Sequence, residues 1–159
     1  VAKVGGVGLP NGGDGVLIDG WAHDNTIGGT LVSVIPQNTF SGNDGYGLVI
    51  TGWAYDNSVI DSFIGPNVAG LAALGNNDGG VLVSGQAYGN SIGDTSKAPV
   101  NLISGNSGNG VWVGTSYNRV LDNYIGLDRL GRSLRNSGEP VVNRGYWNLV
   151  EGNVTHPRG

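Results

Sequence analysis

Gly47-Leu48-Val49-Ile50, followed by Trp53-Ala54-Tyr55-Asp56-Asn57, is one copy of a pattern that runs the length of this chain. An earlier copy is Gly15-Val16-Leu17-Ile18 with Trp21-Ala22-His23-Asp24-Asn25. Later copies are Gly80-Val81-Leu82-Val83 with Ala87-Tyr88-Gly89-Asn90, and Gly110-Val111-Trp112-Val113 with Tyr117-Asn118. A degenerate fifth is Pro140-Val141-Val142 with Tyr146-Trp147-Asn148. The runs start at 16, 48, 81, 111 and 141, giving spacings of 32, 33, 30 and 30 residues. A short apolar run that returns with a small turn signal specifies a stack of coils, each covering the next, rather than one enclosed core.

Each copy divides into three short strands. The first is the apolar run. The second follows the Asn: Thr26-Ile27, Ser58-Val59-Ile60, Ser91-Ile92, Arg119-Val120-Leu121 and Leu149-Val150. The third starts at another polar residue: Asn38-Thr39-Phe40, Ser62-Phe63-Ile64, Asn101-Leu102-Ile103, Asn123-Tyr124-Ile125 and Asn153-Val154. The turns between them are too tight for helices. This predicts an all-β, right-handed parallel β-helix of about four full rungs of roughly 30 residues, with like strands stacked ~4.8 Å apart. Insertions alternate. Copies one and three lengthen the link between second and third strands (30–37 and 95–100), and copies two and four lengthen the link after the third (66–77 and 127–137). The larger unit is thus a pair of rungs.

Glycine supplies 31 of 159 residues, against roughly 7% in average proteins. Plentiful Leu, Ile, Val and aromatics exclude a disordered Gly tract, and the lack of a Gly-X-Y period excludes collagen. Glycine here punctuates tight turns that need positive φ. Charged residues are 13%, about half the usual share, so Asn, Ser, Thr and Gly must cover much of the surface. With no cysteine, disulfides and thiolate metal sites are out. No run of 18 apolar residues exists to insert in a membrane. Residues 1–100 carry Lys3 and Lys97 against eight Asp, whereas 101–159 carry six Arg against four acids. A nucleic-acid partner would need a concentrated basic face, so none is expected.

Asn101-Leu102-Ile103-Ser104-Gly105-Asn106 with Gly110-Val111-Trp112-Val113 carries an Asn-x-Ile-Ser-Gly-Asn … Gly-Val-x-Ile pattern, which Asn38-Thr39-Phe40-Ser41-Gly42-Asn43 nearly repeats. On these residues the chain resembles the right-handed parallel β-helix (pectate-lyase-like) superfamily, and most closely the repeat regions of large bacterial extracellular proteins. The resemblance covers about residues 13–155. It implies the fold and an extracellular or cell-surface setting, but no single chemistry, since the fold serves lyases, hydrolases, epimerases, adhesins and phage spikes.

The chain reads as one domain: 1–12 ends a preceding partial rung, 13–155 are the repeats and 156–159 are a tail. Because it starts and stops inside the repeat with no capping helix, the expectation is a module of a longer solenoid, or a piece that meets another copy end to end. A shorter protein with capping loops is the alternative.

Four sets of residues are candidates for function. Asp61, Asp94 and Asp122 follow the second strand at one offset, where Gly29 and Gly152 stand in copies one and five. Carboxylates one rung apart, at ~5 Å, repel unless a cation or proton intervenes. That distance suits a Ca²⁺ bridge or a carboxylate pair for sugar chemistry. In the resembled lyases Ca²⁺ neutralises a uronate while Arg or Lys takes the α-proton, and Arg119 and Lys97 are the nearby bases here. The other reading is that the turn wants left-handed geometry, which Asp and Gly both accept. Trp21, Trp53, Tyr55 and Tyr88, with His23 in the Tyr column and Tyr117 and Tyr146 close to it, form aromatic columns that are a glycan-binding ridge if exposed and core if buried. Asp24 and Asp56 make a second stacked pair beside them. Arg129 and Arg132, with Arg135, form a basic loop suited to an anionic polysaccharide, or else a solvated face. Asn25/Asn57/Asn90/Asn118/Asn148 and Asn38/Asn101/Asn123/Asn153 read as structural amide ladders. The function expected is a non-catalytic structural or adhesive module. A polysaccharide-active enzyme and a glycan-binding module are the alternatives. No cofactor is expected beyond Ca²⁺ at the Asp column.

Overall fold

The computed structural model describes residues 10–29, 38–94 and 101–156. The expected partial rung before residue 10, the 30–37 and 95–100 links, Lys97 and the last three residues lie outside them.

Three strands per repeat wind into three parallel five-stranded sheets that form a right-handed solenoid. The first sheet stacks β1 (Val16–Ile18), β4 (Tyr46–Ile50), β7 (Gly79–Val83), β10 (Asn109–Val113) and β13 (Val141–Asn143). The second stacks β2 (Thr26–Ile27), β5 (Ser58–Val59), β8 (Ser91–Gly93), β11 (Arg119–Leu121) and β14 (Leu149–Glu151). The third stacks β3 (Asn38–Phe40), β6 (Ser62–Ile64), β9 (Asn101–Ile103), β12 (Tyr124–Ile125) and β15 (Val154–Thr155). The register follows the repeat: Val16, Leu48, Val81, Val111 and Val141 are successive partners.

The core is a column of aliphatic side chains from all three sheets. Leu48, Ile50, Val59, Ile64, Val81, Val83, Ile92, Ile103, Val111, Val113, Val120 and Ile125 are all buried in it. Each covers its counterpart one rung away, so burial is shared between neighbours. Ala54 and Ala87 take the inward position in the turn from first to second strand and are fully buried in the core.

Buried asparagines hold the corners. In the first ladder Asn57 Nδ2 donates to Asn90 Oδ1 at 2.9 Å and Asn90 Nδ2 to Asn118 Oδ1 at 3.1 Å. In the second, Asn101 Nδ2 donates to Asn123 Oδ1 at 2.8 Å. Ser62 fills the rung-two place of that column, its hydroxyl donating to Ile60 O. A third ladder, beyond the two columns expected, turns the third strand into the next rung: Asn11 donates to Asn43, Asn43 to Asn76, Asn76 to Asn106 and Asn106 to Asn136. The Oδ1 atoms of Asn76, Asn106 and Asn136 also take the backbone N–H of the preceding rung's Asn. No buried side-chain polar atom among the described residues lacks a partner, as buried polar groups require.

The long loops after β6 and β12 are built alike. Pro66 pairs with Ala73, and Leu127 with Ser133. Asn67 Oδ1 accepts N–H bonds from Leu71 and Ala72, while Asp128 Oδ1 accepts them from Leu130 and Arg132. The loops also touch: Arg129 N–H donates to Gly70 O at 2.9 Å. The two-rung period is thus a physical contact between loops. Gly70 needs its missing side chain, because its φ is +68° and a Cβ would meet the Phe63 ring at 2.7 Å.

Candidate functional site

The turn joining first and second strands carries the aromatic columns. Ile18, Ile50, Val83, Val113 and Asn143 are in register. From them to Asn25, Asn57 and Asn90 the chain takes seven residues, but only five to Asn118 and Asn148. Rungs one to three therefore bulge outward at this corner, and rung four steps back.

On the bulge, Trp21 and Trp53 stack with ring centroids 5.2 Å apart and planes 9° apart. His23 stacks on Tyr55 at 4.7 Å, and Tyr55 on Tyr88 at 5.3 Å. Separations in this range are those of offset stacks. The two columns lie two residues apart on either side of the inward Ala22, Ala54 and Ala87, so both point outward. Trp21 is 65% exposed, Trp53 48% and Tyr88 41%. The sequence left open whether these rings are core or surface; they form a surface ridge. In the Trp column rung three has the exposed Gln86.

Tyr117 and Tyr146 do not extend the stack. The stacked rings among the described residues are those five. Tyr117 (φ 63°) and Trp147 (φ 59°) stand directly before Asn118 and Asn148, in the left-handed position occupied by Asp24 (φ 54°), Asp56 (φ 52°) and Gly89 (φ 67°) in the other rungs. A bulky residue is unusual there. Each takes that conformation where the following Asn must enter its ladder.

The aspartates are arranged by space as well as by backbone. A Cβ on Gly89 would strike Asp56 Oδ1, one on Gly52 would strike Asp19 Oδ1, and one on Gly152 would strike Asp122 Oδ1. In each case the carboxylate leans over the next rung's glycine. Asp14 does the same over Gly45, and its Oδ1 accepts the Tyr46 N–H at 2.7 Å. Asp24 pairs with His23 Nδ1 at 2.8 Å in an exposed contact.

Asp61 and Asp122 share left-handed geometry (φ 48° and 53°). Rungs one and three instead take positive φ one residue earlier, at Gly28 and Gly93, before their inserted links. Asp61 is half-buried, and burial raises its carboxyl above the usual range, with no neighbouring carboxylate contributing. No three His, Asp or Glu side chains among the described residues are grouped to hold a metal. Arg119 is exposed on β11, between Ser91 and Leu149.

The basic loop lies at a different corner, after the third strand, so the structure does not bring Arg129 and Arg132 to the aromatic ridge. Arg132 Nε donates to Asp128 Oδ2 at 2.6 Å. Desolvation pushes the Asp128 carboxyl up, but hydrogen bonds from Arg132 and Leu130 outweigh it and hold the group below its ordinary value. Arg135 lies against His156 Nδ1 at 3.1 Å. Of the three, Arg129 is the one whose backbone serves the neighbouring loop while its side chain is exposed.

Sequence reasoning passed over Gln86 and Trp147 and the shortened turn that ends the ridge. The signal was present in the count from first strand to Asn. No protein-family model, curated protein or solved structure matches this chain, so its chemistry rests on its own residues.

Proposed function

We propose that this chain is a non-catalytic structural and adhesive module of an extracellular or cell-surface bacterial protein, belonging to the pectate-lyase-like β-helices. It would act as a stiff strut that presents an aromatic ridge to a glycan. The exposed Trp21–Trp53 stack carries this reading. Exposed indoles bury more area against a flat apolar sugar face than any other side chain can, at little cost in side-chain entropy. The Asn25–Asn57–Asn90 ladder fixes the turn beneath, so the ridge is preorganised. Low charge and an Asn- and Gly-rich sequence favour the extracellular assignment, and the absence of cysteine is compatible with it.

A glycan array tests the reading. Binding by the wild type that disappears in Trp53→Ala is the expected result. An array without hits, or hits that survive Trp53→Ala, removes the glycan contact. Uronate-lyase activity that depends on Ca²⁺ and is lost in Asp94→Ala would replace adhesion with catalysis.

A further inference from the structure

We infer that the aromatic ridge is built for a cationic amino-sugar polymer, a chain of hexosamines bearing free ammonium groups, rather than for a neutral or acidic glycan. The inference rests on the glycan reading above and names its ligand class. Charge selects the ligand class. The described residues of the first three rungs hold eight aspartates and no Lys or Arg. Over residues 1–100 only Lys3 and Lys97 oppose them. Asp24 and Asp56 sit one residue beyond His23 and Tyr55, along the first two rungs of the second column, and both are exposed; Gly89 takes that place beside Tyr88. The arginines are all in the later rungs, and those of the basic loop lie at another corner of the coil.

An anionic polysaccharide would meet a repulsive field here, and a neutral one would gain nothing from it. A protonated amino sugar gains twice: from the carboxylates, and from the negative faces of the indole and phenol rings, which attract ammonium. The ridge repeats along the coil at the rung spacing, so consecutive sugars would meet like partners, and weak contacts at each rung add through one connected chain. The step at rung four adds a seat. Ser116 replaces an aromatic there, so the Tyr88 face that looks toward rung four carries no stacked ring.

The test is titration of the whole chain, followed by tryptophan fluorescence and calorimetry at mildly acidic pH. The probes are a glucosamine oligomer, its fully N-acetylated counterpart, a neutral glucan oligomer and poly-lysine. Trp53→Ala and the double variant Asp24→Asn/Asp56→Asn are run beside the wild type. Asn tolerates the left-handed backbone at both positions, and Trp21→Ala serves if Trp53→Ala unfolds. The expected result is glucosamine binding at least about tenfold tighter than the N-acetylated or neutral oligomer, weakened by salt. It is lost in Trp53→Ala and cut several-fold in the double variant. Equal binding of all three sugars overturns the cationic assignment while leaving the glycan contact standing. Poly-lysine binding as tight as glucosamine and indifferent to Trp53→Ala also overturns it, because charge alone would then suffice. No binding of any sugar overturns both.

Discussion

Replacing Asn90 by alanine should cost this coil about 3–5 kcal/mol. Asn90 is wholly buried. Its Nδ2 donates to Asn118 Oδ1 at 3.1 Å and to the Ala54 and Tyr88 carbonyls, each at 3.0 Å. Its Oδ1 accepts from Asn57 N at 3.0 Å and Asn57 Nδ2 at 2.9 Å. Alanine deletes all five bonds. Not all the partners are orphaned. Asn57 Nδ2 keeps the Ala22 and Tyr55 carbonyls. Ala54 O keeps the Tyr88 N–H, Tyr88 O keeps the Asp56 N–H, and Asn118 Oδ1 keeps the Asn90 N–H. The group left without a partner is the Asn57 backbone N–H, a buried donor worth about 1–3 kcal/mol when unpaired. The lost bonds and the cavity left by the amide supply the remainder.

Asn25→Ala is the internal control. Asn25 is exposed at the start of the same ladder and gives up side-chain bonds only to His23 O and Asn57 Oδ1. It should cost no more than about 1 kcal/mol. Urea unfolding followed by tryptophan fluorescence and far-UV circular dichroism measures both, with the m-value held as a check that one cooperative transition is being compared. In a coil of stacked repeats a fall in m marks rungs melting separately. Equal losses in the two variants, or a loss below about 0.5 kcal/mol in Asn90→Ala, would refute the view that the amide ladder supports the corner.

Two further outcomes are expected. Gly89→Asp extends the Asp24–Asp56 column in sequence, yet its new Cβ strikes Asp56 Oδ1 and sets two anions together. A loss of about 1–3 kcal/mol in thermal or urea unfolding is expected, relieved in Asp56→Gly/Gly89→Asp; no relief would refute the carboxylate-over-glycine packing. For Asp61, the folded carboxyl is raised by desolvation. Its contribution to stability is therefore fully present below the unfolded carboxylate pKa and is lost as pH rises through the folded one. Wild type should weaken relative to Asp61→Asn between strongly acidic and neutral pH. A gap between the two that does not move with pH would show that Asp61 is not desolvated.

The repeat itself was legible because its signals are local. Apolar runs at 16–18, 48–50, 81–83 and 111–113 return one repeat apart, and asparagine recurs where each turn needs an amide. Those signals placed the strands, the parallel stacking and two of the three Asn ladders. They also placed Trp21 over Trp53 and Tyr55 over Tyr88, because residues one repeat apart in sequence are neighbours in any solenoid.

What the tertiary structure alone decided depends on which way each side chain turns at a corner and on register across gaps of thirty residues or more. It put the aromatic columns outside, on either side of the buried, inward Ala54 and Ala87. It set the Asp14, Asp19, Asp56 and Asp122 carboxylates over glycines of the next rung, and rung four's shorter turn ends the ridge at Tyr88. It sent Arg129 and Arg132 to a different corner from the aromatic ridge. Composition and spacing count residues along the chain; the faces of a coil are assigned only when neighbouring rungs compete for the same space.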